Sequence, residues 1–169
     1  DGFNDLMDVI WCDSLQIFIA VGYKGTVAIY DGISDWIFHQ TNIPIDIRSI
    51  AWSNTLNRFV AVGDSMSEFG YCIIYSSDGI NWTPCDQEPL LQGHFSDVVW
   101  SGSLNLFIAI YPGEPGAMFY SSDGINWIRI QEGLPDYHFV SIAWSDSLGI
   151  FLVMGKDEYG NVIAGTSSG

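Results

Sequence analysis

Basic side chains are scarce in this chain. Five lysines and arginines stand against twenty aspartates and glutamates over 169 residues, a formal net charge of −15. Such a surface repels phosphate backbones and anionic membrane surfaces, which argues against nucleic acid as a partner. Acidic sugars are disfavoured as well, because a carboxylate or sulfate is usually held by converging guanidinium groups. Arg48, Arg58 and Arg129 fall at unlike places along the chain. Long apolar runs are also missing, and nothing approaches the ~20 residues of a spanning helix, so a soluble chain without membrane insertion is expected. There are three cysteines, Cys12, Cys72 and Cys85, without metal-site spacing. Cys72 and Cys85 sit on opposite arms of one expected hairpin, where they could form a cross-strand disulfide or remain free buried thiols. A starting methionine and a signal-like segment are absent too, as in a processed chain or a fragment.

What is abundant is apolar and aromatic. Hydrophobic residues make up 48% and aromatics 15%, with 18 glycines, a composition that suits short packed strands and tight turns and excludes a disordered tail. A repeat orders these residues. Trp11-Cys12-Asp13-Ser14-Leu15 returns as Trp52-Ser53-Asn54-Thr55-Leu56, as Trp100-Ser101-Gly102-Ser103-Leu104 and as Trp144-Ser145-Asp146-Ser147-Leu148. The tryptophan spacings are 41, 48 and 44 residues, the length of one four-stranded propeller blade.

Each unit has the same grammar. A short strand ends at the Trp (Val9–Trp11, Ile50–Trp52, Val98–Trp100, Ile142–Trp144), and a polar turn follows. The second strand is continuously apolar, as in Phe59-Val60-Ala61-Val62 and Leu106-Phe107-Ile108-Ala109-Ile110. Unbroken apolar runs are expected where both sheet faces are covered. The third strand leads into Tyr75-Ser76-Ser77-Asp78-Gly79-Ile80-Asn81-Trp82, repeated as Tyr120-Ser121-Ser122-Asp123-Gly124-Ile125-Asn126-Trp127. Tyr30-Asp31-Gly32-Ile33-Ser34-Asp35-Trp36 reads as a decayed copy. Asp-Gly is a hairpin signal, and the Trp can fold over the turn as an apolar cap.

This motif resembles the Asp box of bacterial-neuraminidase-type repeats in a shortened form, Ser-x-Asp-Gly-x-x-Trp. The whole unit is similar to repeat arrays of bacterial surface, phage and giant-virus proteins. The resemblance implies an all-β fold, a β-propeller of four tandem four-stranded blades at about 6–41, 47–87, 95–132 and 139–169. The fourth unit reaches its third strand only, so fifteen strands are expected and the last blade is incomplete. An open end exposes a blade face. The chain is therefore expected to be part of a larger ring, or to be completed by self-association with a second copy.

Function is argued by exclusion. A sialidase-like enzyme would need a convergent arginine set with an acid and a tyrosine nucleophile, and this sequence departs from that pattern. No serine lies in a Gly-x-Ser-x-Gly elbow. Asn81-Trp82-Thr83 matches a glycosylation acceptor, yet it lies inside the turn motif, where a structural reading is sufficient. The acidic loops Asp64-Ser65-Met66-Ser67-Glu68 and Asp157-Glu158-Tyr159-Gly160-Asn161 do not follow the EF-hand pattern. Asp5, Asp46, His94 and His138 each stand six residues before a repeat Trp, in loops expected to rim the central channel. They are the candidate metal ring: closure as four blades would let them share a divalent ion such as zinc. In a larger ring they form an arc, and the missing closing strand favours the arc. The expected function is a non-enzymatic interaction or structural module for a protein or neutral glycan, without a cofactor, in a secreted, cell-surface or virion setting. The alternative is a glycan-processing hydrolase whose catalytic blades lie outside this chain.

The repeated turns are thus read as scaffold. Trp82→Ala or Trp127→Ala should destabilise by about 3–5 kcal/mol, and Asp78→Ala by roughly 1 kcal/mol. Urea melts check this, and neutral tryptophan variants would remove the reading.

Overall fold

The computed structural model describes residues 5–67, 70, 72–85, 94–113, 116–130, 138–157 and 159–168. Among them the chain is all-β, with one 3-10 turn at Tyr23–Gly25. The first blade holds β1 (Leu6–Cys12), β2 (Ile17–Gly22), β3 (Thr26–Tyr30) and β4 (Ile37–Gln40). The second holds β5 (Ile45–Ser53), β6 (Arg58–Ser65), β7 (Ile73–Ser76) and β8 (Thr83–Pro84). The third holds β9 (Asp97–Ser101), β10 (Leu106–Tyr111), β11 (Ala117–Ser121) and β12 (Ile128–Arg129), and the fourth β13 (His138–Ser145), β14 (Ile150–Lys156) and β15 (Val162–Ser168). Each blade is an antiparallel meander in sequence order, three of four strands and the last of three.

The apolar second strands show why the blades stack. In β6, Phe59 and Ala61 pack back on the first blade, while Val60 and Val62 pack forward on the third. Three seams result: Ile19, Val21 and Val27 against Ile50, Phe59 and Trp82; Val60, Val62 and Ile73 against Val98, Phe107 and Trp127; Ile108, Ile110 and Met118 against Ile142 and Phe151. Removing these side chains from water at about 25 cal/mol per Å² is the main driving force. All three cysteines are thiols outside any disulfide, buried within the first two seams, and burial pushes the Cys85 thiol up to about 12.

The turn after each repeat Trp has a shared geometry. Ser53, Ser101 and Ser145 accept the N–H of Leu56, Leu104 and Leu148 at 3.1–3.3 Å. The turn closes on a left-handed residue, Gln16, Asn57, Asn105 or Gly149, with φ of 54°, 46°, 52° and 64°. Asn and Gly adopt that conformation most readily.

The Ser-x-Asp-Gly turns are knitted internally. The Asp78 Oδ1 accepts the N–H of Ile80 and of Asn81, both at 2.8 Å, and its Oδ2 accepts the Asn81 amide at 2.7 Å. Ser76 Oγ accepts the Gly79 N–H at 2.9 Å, and the Trp82 indole donates to the Gly79 carbonyl at 2.9 Å. Asp123 repeats the carboxylate pattern with Ile125 and Asn126. Asn81 is thereby engaged in the turn itself. The first blade differs from its expected alignment. Phe18 pairs with Tyr30, whereas Phe59 pairs with Ser76, so Tyr30 stands where the organising serine stands elsewhere. Asp31 still caps Ile33 and Ser34, but Trp36 lies on the surface, stacked on Tyr30 at 5.3 Å.

The first strands begin earlier than expected. A bulge skips Met7, Arg48 and Val140, and beyond it pairing resumes as Leu6 with Gly22, Ile47 with Gly63 and Phe139 with Gly155. Glycine is what allows this. A Cβ on Gly22, Gly63 or Gly155 would lie 2.1, 1.9 or 2.3 Å from the carbonyl oxygen of Asp5, Asp46 or His138. The third blade has Tyr111 at that position, and there Phe95 N–H donates to Gly63 O of the preceding blade instead.

Gly63→Ala should therefore cost about 1–3 kcal/mol through forced backbone displacement, read from denaturant melts. Acid should act at the turns. Burial alone would raise the Asp78 and Asp123 carboxyls, but hydrogen bonds from Asn81 and Asn126, the neighbouring N–H groups and the Ser76 and Ser121 hydroxyls hold both down to about 2. A folded-state value below the ordinary 3.8 stabilises the fold above that value, and the contribution is lost as pH falls toward 2. Stability measured from pH 5 to pH 2 should decline over that window, and less steeply in a chain carrying both Asp78→Asn and Asp123→Asn.

Candidate functional site: the inner channel

The first strand of each blade is innermost, and β1, β5, β9 and β13 lie side by side around a concave channel of about 470 Å³. Its wall is built from one repeated stretch. Ile10, Ala51, Val99 and Ala143 line it beside Trp11, Trp52, Trp100 and Trp144. Each indole packs on the phenylalanine that faces it across the hairpin, Phe18, Phe59, Phe107 or Phe151, with centroids 4.2–4.8 Å apart. Three indole N–H groups donate to the side chain two residues on: Asp13 at 2.6 Å, Asn54 at 2.5 Å and Asp146 at 2.7 Å. The third blade has Gly102 there. With their edges so held, the rings present fixed faces to the channel. Asp146 also accepts the Ser103 N–H from the neighbouring blade, and the Trp144 indole bond foremost holds its carboxyl below the ordinary range.

A second repeated column ties the blades together at the inner strands. Three residues before each Trp stand Asp8, Ser49, Asp97 and Ser141. Asp97 Oδ1 accepts the Ser49 hydroxyl of the preceding blade at 2.7 Å, and its Oδ2 accepts the Ser141 hydroxyl and the Ile142 N–H of the following blade at 2.8 and 2.9 Å. Asp8 Oδ2 accepts the Ile50 N–H at 2.9 Å. This alternating ladder escaped the sequence reading, although its fixed offset from the Trp was visible there.

The candidate metal positions are equivalent in the repeat, and each has a partner of its own. Asp46 and His138 lie in strands rather than entry loops, because pairing continues past the bulge. Asp46 accepts the Lys24 N–H at 2.7 Å, His138 Nδ1 is 2.7 Å from the Pro112 carbonyl, and His94 stacks on Tyr111 at 5.6 Å. Asp5 offers its carbonyl to the Tyr23 N–H. Among the described residues no group of three or more His, Cys, Asp or Glu side chains could hold a metal ion. Of the acidic loops, Asp64 pairs with Arg48 at 2.5 Å and Asp157 caps its own turn, while Glu68 and Glu158 lie outside the described residues.

No family model and no curated protein matches the chain. Solved structures match it by shape. A GH74 enzyme of Niastella koreensis is 17% identical with a TM-score of 0.61, over 95% of this chain and 22% of that one. A chain of a mitotic checkpoint complex is 15% identical with a TM-score of 0.66, over 98% of this chain and 50% of that one. The computationally designed Ika4 protein is 13% identical with a TM-score of 0.61, over 100% of this chain and 94% of that one. The chain thus spans about a fifth of the enzyme and half of the checkpoint-complex chain. Identities this low show the fold alone: the chain is a β-propeller array, open rather than closed.

Proposed function

We propose that the chain is a non-enzymatic interaction module whose inner channel binds a protein segment or a neutral glycan. The observation that carries this reading is the channel itself, where four indoles, each packed on a phenylalanine and three of them also held by a rim acceptor, offer preset apolar faces. Rigid aromatics of this kind supply contact area at small ordering cost and dominate many interfaces. The lining residues carry no titratable group, and the carboxyls with strongly lowered pKa, Asp78 and Asp123, are bound into hairpin turns. That distribution favours binding over proton-transfer chemistry. The alternative, a hydrolase with catalytic blades elsewhere, has the likeness to the GH74 enzyme in its favour.

An untargeted glycan array and a peptide display library, each followed by an assay for turnover of the retained ligands, separate these readings. Retention without cleavage is expected, with affinity reduced about tenfold or more in Trp144→Ala, as for an interface hot spot. Cleavage of a retained glycan would sink the non-enzymatic reading, and binding indifferent to all four tryptophans would sink the channel.

A further inference from the structure

The two ends of the array expose the two halves of the seam that the chain builds internally three times. On the first blade Val9, Trp11, Phe18 and Trp36 lie open to solvent. The equivalent Ile50, Phe59 and Trp82 are buried by the blade before them, so Phe18 is 40% exposed where Phe59 is 0%. On the fourth blade Leu152 and Met154 are exposed, whereas the equivalent Val60 and Val62 are buried by the blade after them. Leu152 is 41% exposed and Val60 is 0%. The first-blade face is also hollow: Leu6, Met7, Val9, Ala20 and Trp36, with Asp8 among them, line an open, largely apolar recess of about 290 Å³.

We infer that a second copy of this chain seats head-to-tail on these faces, fourth blade on first, and that two such junctions close an eight-bladed ring. The alternating ladder singles out a copy of the same chain as the occupant. It runs Asp8, Ser49, Asp97, Ser141, a period of two blades. The four blades hold two whole periods, so Asp8 of a copy, placed after Ser141, continues the alternation unbroken. At the junction the Ser141 hydroxyl, which has one proton and gives it to Asp97 Oδ2 in the single copy, would turn forward to the copy's Asp8 as Ser49 turns forward to Asp97 Oδ1. Asp97 would keep the Ile142 N–H as Asp8 keeps that of Ile50. No such hydroxyl reaches Asp8 among the described residues. Leu152, equivalent to the Ile19 that nestles against the Gly79 turn, would meet the Asp31–Trp36 turn of the copy. The closed ring would also complete the channel wall, which one copy supplies only in part. This proposal is independent of what the channel binds.

Sedimentation at physiological or higher salt, which screens repulsion between two chains of −15, tests it on the full 169-residue chain. A mass of twice 18.7 kDa is expected. Leu152→Glu and Val9→Glu alter side chains already exposed in one copy, so each variant should keep the parent's circular dichroism yet sediment as one copy, with a melt that no longer depends on concentration. Mixed together they should recover a 1:1 pair, because one junction then has two unaltered faces. A one-copy mass for the parent up to on the order of 100 μM, far above a micromolar dissociation constant, would leave the faces to other blades and overturn the proposal. Open-ended growth with concentration would overturn closure, and failure of the two variants to pair would overturn the head-to-tail arrangement.

Discussion

Burial of both faces of each sheet against neighbouring sheets is the interaction on which everything else in this molecule depends. A meander of four short strands has little claim to stability in water by itself. Here the strand that is apolar on both sides, such as β6, becomes tenable because alternate side chains enter two different seams. The tryptophans of the hairpin turns close the outer part of a seam, the indoles of the inner strands sit at its channel edge, and the Asp–Ser ladder fixes adjacent blades in register. Stability in such an array is a sum of blade terms and nearest-neighbour seam terms.

The seam also explains how the channel gains its character. An inner strand must approach its counterparts closely, which favours small or aliphatic side chains such as Ala51 and Ala143 in the wall. The bulky indoles are placed at the strand ends, where the hairpin Phe supports the ring and, in every blade but the third, a turn carboxylate or amide takes the ring N–H. Fold and candidate site are therefore one arrangement, with the same tryptophan serving as repeat marker, hairpin anchor and channel surface.

Much of this was legible in the sequence because repetition multiplies weak signals. One Trp followed by a polar turn says little, whereas four at near-constant spacing define the blades, and the unbroken apolar second strands announced coverage on both faces. What escaped detection depends on backbone geometry. The bulge that carries β5 back to Ile45 leaves no mark except Gly63 on the partner strand, with Gly22 and Gly155 at the equivalent places. The metal column was visible as a column, but pairing past the bulge commits Asp46 and His138 to backbone neighbours. The decayed first turn was visible too, yet its shift by one residue relative to Ser76 emerges only from strand pairing. The ladder of Asp8, Ser49, Asp97 and Ser141 was overlooked because its meaning lies between blades and not within one.

The placement of the three thiols gives the molecule a built-in record of which seam has opened. Cys12 belongs to the first seam and Cys72 and Cys85 to the second, while the third has none. A thiol closed off from solvent, and in the case of Cys85 held far from ionisation, cannot meet an alkylating reagent until its surroundings part. Labelling at Cys12 alone would mark the first blade peeling away, labelling at Cys72 and Cys85 would mark separation in the middle, and simultaneous labelling of all three would mark an array that opens as a single unit.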